Sequence, residues 1–208
     1  GLSVARYFSS MNINAIYIDT RDNPPYLNEV KSICPESKII LGQISLKILD
    51  NVSRVIVSPG IPDNEPILAI AREMGLEIIS DLQLFISEVE QPIIGITGSN
   101  GKSTVTTLLS LMCSKDGKSC LAGANLGVPA LDLLLDKKPD LYILELSSFQ
   151  LKRTPNFPME VAVLLNVESD HLDWHESEED YRNAKYSIFD QAKSIVFNRA
   201  EIETINKL

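Results

Sequence analysis

Short β-rich apolar runs alternating with helix-like or polar segments recur along this 208-residue chain, and that cadence constrains its fold more than any other feature. AIYIDT (15–20), KIILG (38–42), RVIVSPG (54–60) and LEIIS (76–80) come first, with helical patterns over 65–74 and 81–88. PIIGITG (92–98), a short segment near Cys120, DLYILEL (140–146), VAVLLN (161–166) and SIVFN (194–198) follow, with helices expected after Gly101, over 129–135 and through 181–189. Strands separated by helices pair in parallel, so the pattern predicts an α/β fold with a doubly wound parallel sheet. The stretch EVEQP (88–92) interrupts the cadence, and Pro92 cannot sit in a helix interior. A boundary there gives a Rossmann-like parallel-sheet domain over 1–90 and a central P-loop ATPase-type α/β domain over 91–208. The opening GLSVARYFSSMN reads as a helix with Leu2, Val4, Ala5 and Phe8 on its apolar face, and only a short polar tail follows SIVFN. The chain is therefore expected to be a fragment at both ends, lacking the first strand of one domain and part of the other.

A formal net charge of -9 without a basic stripe excludes a general nucleic-acid binder. No apolar run approaches membrane-spanning length and no charged-then-apolar leader opens the sequence, so neither insertion nor secretion is expected. Cys34, Cys113 and Cys120 have no metal-ligand spacing and read as reduced thiols of a cytosolic protein.

Chemistry concentrates in IIGITGSNGKSTVTTLL (93–109). A backbone that wraps an anion needs glycine where a side chain would block the approach of its N–H groups, and the following helix adds its positive end. Gly98, Ser99, Asn100 and Gly101 supply the turn, Lys102 can reach the outer phosphates, and the hydroxyl of Ser103 or Thr104 can join a magnesium shell. The pattern G-x-x-x-x-G-K-[ST] would want glycine where Ile96 stands, and a ligand-free glycine turn is the plainer alternative. Glu145 ends the run YILEL, where open α/β sheets bind ligands; it can hold magnesium or simply face solvent. The two histidines, His171 and His175, follow another apolar run. His171, beside Asp170, is a candidate ligand, whereas His175 reads as a loop residue and Glu176, Glu178, Glu179 and Asp180 as favourable charge at a helix start. Asp19-Thr20-Arg21 and Ser58-Pro59-Gly60 lie at strand ends where a nucleotide could bind, and each is also ordinary turn chemistry.

With DTR, SPGI, GITGSNGKST, GANLG, LELSSFQL and HLDWH followed by YRNAK in hand, the chain resembles the Mur ligase family nearly end to end. The family's cradle also lacks the first glycine of the pattern. Within the family, LELSSFQL points to the branch that joins D-glutamate to UDP-N-acetylmuramoyl-L-alanine through an acyl phosphate in peptidoglycan precursor synthesis, in the bacterial cytoplasm. The resemblance implies ATP bound by Lys102, one magnesium served by Ser103 or Thr104 with Glu145, and a second served by His171. Asn125 and His171 would lie near the reacting phosphoryl and carboxylate, and Ser147 and Gln150 near the muramoyl substrate. Ser58, Pro59, Gly60, Asp19 and Arg21 would frame the UDP group. Lys185 matches the position at which the family carries a carbamylated lysine, although the helix alone would suggest a surface residue. A third domain would supply most of the D-glutamate site, so this chain by itself is expected to be inactive, and the full-length protein monomeric. A sister amino-acid ligase, a folylpolyglutamate-type ligase and a non-catalytic nucleotide-binding module are the competing expectations.

Overall fold

A computed structural model describes residues 1–168 and 174–199, and His171 lies outside the described residues. The chain divides into two compact units, Gly1–Asp81 and Leu82–Leu208. The division falls at the start of α4 (Asp81–Glu88), ahead of the boundary expected at Pro92. Its cause is packing: α4 buries Leu82, Leu84 and Phe85, and the Phe85 ring meets Tyr142 of the second unit edge-on, 5.2 Å between centroids.

In the first unit, α1 (Leu2–Ser10) leads into β1 (Ile16–Asp19), α2 (Leu27–Ile33), β2 (Lys38–Leu41), a 3-10 turn (Leu46–Asn51), β3 (Arg54–Val57), α3 (Pro66–Glu73) and β4 (Glu77–Ser80). The strands pair in parallel as expected, yet as two separate two-stranded sheets, β1 with β2 and β3 with β4. Both sheets contribute to one core, in which Ile16, Ile40, Val55 and Ile78 pack around buried Leu49 and Ala71. The buried face of α1 is turned relative to the sequence reading. Val4 and Ala5 are buried with Ser3 and Tyr7, while Leu2 and Phe8 are only half-buried. α2 falls in a stretch whose polarity concealed it, and it buries no residue fully.

The second unit is a five-stranded, all-parallel sheet in the order β6-β7-β5-β8-β9. Its elements are β5 (Ile93–Thr97), α5 (Lys102–Lys115), β6 (Cys120–Ala124), α6 (Ala130–Leu133), β7 (Leu141–Glu145), α7 (Ser148–Lys152), β8 (Met159–Leu164), α8 (Glu178–Tyr186) and β9 (Ala192–Phe197). The first strand, β5, takes the centre; β6 and β7 lie on one side of it, β8 and β9 on the other. The chain therefore reverses direction across the sheet at β5, the kind of point beside which open α/β sheets bind ligands. Tyr142, Ile143, Leu144 and Glu145 are all buried in succession, as an interior parallel strand covered on both faces requires. Register brings the strand ends level: Ile96 opposes Glu145, and Thr97 opposes Leu164. Three strands thus deliver their following loops to one place. Among the described residues no helix is long and apolar enough to cross a membrane.

Candidate nucleotide and ligation site

The turn from β5 to α5 owes its shape to two glycines. A side-chain carbon on Gly98 would lie 3.0 Å from the Leu165 Cβ, tighter than ordinary packing, so glycine eases the loop's close approach to the chain leaving β8. Gly101 sits at φ +82°, a left-handed conformation that glycine adopts without steric cost, and caps α5.

The segment after β8 holds this loop in place. The Asn100 amide donates to Asn166 Oδ1 at 2.8 Å, the Asn166 side chain donates back to the Asn100 carbonyl at 3.1 Å, and the Ser99 amide donates to the Asn166 carbonyl at 3.0 Å. Asn100 Nδ2 donates to Glu168 at 3.0 Å, and the Ser99 hydroxyl lies 2.8 Å from the Tyr181 hydroxyl of α8. These bonds fix the conformation of the loop's backbone.

Two ammonium groups converge on the loop. Lys102 Nζ donates to the carbonyls of Gly98 (2.8 Å) and Ser99 (3.2 Å), and Lys185 Nζ, from α8, donates to the same Gly98 carbonyl at 2.9 Å. Lys185 is 2 % exposed and its ammonium lies 4.9 Å from the centre of the Tyr181 ring. The surface-lysine reading is thereby excluded. Burying a charge is costly unless it is compensated, and the carbonyl and ring face supply compensation. Like charges around one oxygen also repel each other, so an anion placed between them would be favoured.

Glu145, at the end of β7, is buried at 2 % exposure, and both its oxygens are held from other elements. The Ser103 hydroxyl donates to Oε2 and Asn125 Nδ2 to Oε1, each at 2.7 Å. The solvent-facing alternative for Glu145 is excluded, and Ser103, Asn125 and Glu145, far apart in sequence, form one cluster. The Thr104 side chain is exposed. The donor set, a hydroxyl and one carboxylate beside a cationic loop, fits magnesium, which takes few protein oxygens and completes its shell with phosphate and water. Among the described residues no group of three His, Cys, Asp or Glu side chains could hold a metal unaided.

A strained residue aims Asn125. Ala124 has φ +80°, and its amide donates to the Val128 carbonyl at 2.8 Å while the Asn125 amide donates to the Glu145 carbonyl at 3.0 Å. For an L-residue with a Cβ this conformation costs on the order of 1–2 kcal/mol. Ala124→Val, adding a β-branch there, is expected to lower unfolding stability by about 1–3 kcal/mol, whereas Ala124→Gly stays within about 1 kcal/mol of the parent. Denaturant titration of both variants reads the difference.

Ser147 and Gln150 form a reciprocal cap on α7. The Gln150 amide donates to Ser147 Oγ at 3.3 Å, and Gln150 Oε1 accepts from the Ser147 amide at 2.9 Å. LELSSFQL is therefore in part a helix start, fixing the chain just beyond Glu145.

Sequence reasoning missed His175. It lies in the loop ahead of α8 as expected, but is buried at 4 % exposure, with Nδ1 2.8 Å from Asp180 Oδ2 and Nε2 2.9 Å from Ser148 Oγ. Lys152 Nζ lies 2.8 Å from both oxygens of Asp180. Burial raises the Asp180 carboxyl, but the hydrogen bonds from Lys152 and His175 outweigh it and hold the group below the usual carboxylate range. This contribution to stability is present above the unfolded carboxyl's value and lost as pH falls through the folded one. The five-residue spacing of His175 and Asp180, beside Trp174, was the available signal.

In the first unit, Arg21 forks onto Asp19, with Nε and Nη2 each 2.8 Å from a carboxylate oxygen. That hydrogen-bonded pair holds the Asp19 carboxyl below its ordinary range. The Gly42 amide donates to the Asp19 carbonyl at 3.0 Å, tying together the ends of β1 and β2. Ser58, Pro59 and Gly60 follow β3, in a turn closed by the Ile61 amide on the Ser58 carbonyl at 3.1 Å.

A parallel sheet whose central strand feeds a glycine-shaped, lysine-bearing cradle, with a buried acid at the neighbouring strand end, defines the second unit as a P-loop type of α/β domain. The family descriptions agree: Mur ligase middle domain matches residues 96–207, and Mur ligase MurD-like, N-terminal domain matches residues 1–80. The chain belongs to the Mur ligase family. It is 42 % identical over 99 % of its length to a UDP-N-acetylmuramoylalanine–D-glutamate ligase of Saccharophagus degradans, covering 46 % of that protein. It is 42 % identical over 98 % of its length to the Pseudomonas aeruginosa protein of the same name, covering 45 % of it. The chain thus spans just under half the length of these relatives. Solved structures share the fold. A ligase from Neisseria meningitides described as UDP-N-acetylmuramate:L-alanyl-gamma-D-glutamyl-meso-diaminopimelate ligase has a TM-score of 0.66 at 16 % identity, over 100 % of this chain and 71 % of that one. The MurF ligase from Thermotoga maritima, solved in complex with ADP, has a TM-score of 0.51 at 18 % identity, over 93 % of this chain and 45 % of that one.

Proposed function

We propose that this chain forms the UDP-substrate-binding and ATP-binding parts of a bacterial cytoplasmic ligase that joins D-glutamate to UDP-N-acetylmuramoyl-L-alanine. The observation that carries this reading is the cluster of Lys102, Ser103, Asn125 and Glu145 at level strand ends, in a chain 42 % identical to D-glutamate ligases. ATP phosphates lie in the cradle of residues 98–104, and Asp19, Arg21 and Ser58–Gly60 of the first unit frame the UDP group.

The chemistry follows from the charges. The alanine carboxylate forms a bond to the γ-phosphorus of ATP as the bond to the β-phosphate oxygen breaks, giving an acyl phosphate and ADP. The amine of D-glutamate adds to the acyl carbon, loses a proton, and expels phosphate to leave the amide. Ser103 and Glu145 would hold a magnesium ion, which would neutralise charge on the phosphoryl group. Lys102 does the same from the cradle, and Asn125 keeps Glu145 oriented. Lys185, as a carbamate, would supply an anionic oxygen ligand to a second magnesium ion.

The test is phosphate release from ATP by the full-length gene product, with a panel of UDP-sugar peptides and amino acids. Release that requires both UDP-N-acetylmuramoyl-L-alanine and D-glutamate is expected. Preference for another UDP-peptide or for a folate would assign a sister activity, and binding of ATP without turnover would assign a nucleotide-binding module.

A further inference from the structure

His175 joins the two helices, α7 and α8, that frame the groups assigned to the reaction. Its imidazole Nδ1 lies 2.8 Å from Asp180 Oδ2, in the first turn of α8, and Nε2 lies 2.9 Å from the Ser148 hydroxyl, at the start of α7. The ring stacks on Phe149 of α7 (5.5 Å, 22°) and meets Tyr181 of α8 edge-on (5.3 Å, 77°). Lys152 of α7 reaches across to Asp180 as well.

Each tether leads towards the site. Ser148 follows the cap residue Ser147, three positions beyond Glu145, so fixing Ser148 fixes the chain that leaves β7. On α8, Tyr181 bonds to Ser99 of the cradle, and Lys185, about 6 Å further along the helix axis, reaches the Gly98 carbonyl. We infer that His175 is a positioning residue for phosphoryl transfer: it pins the start of α8 to the start of α7 and so sets Tyr181 and Lys185 against the cradle and Glu145. The inference rests on the ligase reading above. Displacing reacting groups by about 1 Å can cost on the order of 10²-fold in rate without loss of binding.

His175→Asn retains an amide near Nδ1, for Asp180, and loses the reach to Ser148. Ser148→Ala removes the same tether by deleting one oxygen, and it decides the matter if the histidine variant fails to fold. In the full-length ligase, turnover is normalised to the fraction that binds ATP, so that misfolded protein does not count. The expected result is a fall in kcat of about 10- to 100-fold in His175→Asn and about 10-fold in Ser148→Ala. The KM for ATP and for the UDP-substrate stays within about twofold, and the double variant is no slower than His175→Asn alone. A kcat within about threefold of the parent in Ser148→Ala, a rise in KM at constant kcat, or additive losses in the double variant would overturn the inference. Absence of D-glutamate ligation in the unsubstituted enzyme would instead overturn the ligase reading.

Discussion

Lys185→Ala in the full-length ligase is expected to lose about 10³-fold or more in turnover, with part of the loss restored by millimolar formate or acetate. An ammonium cannot ligate a metal and repels one nearby. When the neutral amine of Lys185 adds to the carbon of carbon dioxide and sheds a proton, the cation becomes a carboxylate-like ligand, and a small carboxylate can take its place in the cavity left by alanine. The 2 % exposure of Lys185 and its bond to Gly98 show that the side chain reaches the cradle. The same geometry admits a rival role, in which a permanent ammonium buttresses the Gly98 carbonyl. The two roles separate cleanly. Restoration by carboxylates supports the carbamate, whereas restoration by methylamine and none by carboxylates assigns Lys185 to the loop.

Lys102→Ala is expected to reduce acyl-phosphate formation by about 10³-fold while leaving equilibrium binding of the UDP-substrate within about twofold. The ammonium lies within the loop of the second unit, bonded to Gly98 and Ser99, whereas Asp19 and Arg21 belong to the first. Single-turnover ADP release reads the first quantity, and titration calorimetry with the UDP-substrate reads the second. Parallel loss of both would show that the assignment of ATP and UDP groups to separate units is wrong.

The parts of the site that sequence disclosed are those in which one short segment carries its own reason. Gly98 and Gly101 stand in a turn between an apolar strand and a helix, and Glu145 stands at a strand end, so local pattern alone places them. Other features depend on neighbours distant in sequence. Lys185 looks like a solvent-facing residue of an amphipathic helix, and only the docking of α8 against the cradle makes it buried. His175 does lie in the loop ahead of α8, but its burial was not legible because neither Ser148, 27 positions upstream, nor the ring of Phe149 is visible from its own surroundings. The apolar face of α1 was misjudged for a related reason. Counting apolar residues favoured Leu2 and Phe8, but packing turned Ser3 and Tyr7 inward with Val4 and Ala5. Short elements such as α2 and β6 carry too few residues for periodicity to declare them.

The straps across the cradle also fix an order of events when the chain is made. In sequence the loop of residues 98–101 is a local feature, encoded in full once α5 has been synthesised. Its bonds, however, run to Asn166, Glu168, Tyr181 and Lys185, from 66 to 87 positions later in the chain. Strand β5 itself pairs with β7 and β8. On the ribosome, where synthesis proceeds at about 5–20 residues per second, the loop must therefore wait several seconds for the residues that hold it. Until α8 emerges and docks, the cradle has its glycines and its lysine but not the bonds that fix it, so the loop is completed late, with the last third of this sequence, and not with the motif that encodes it.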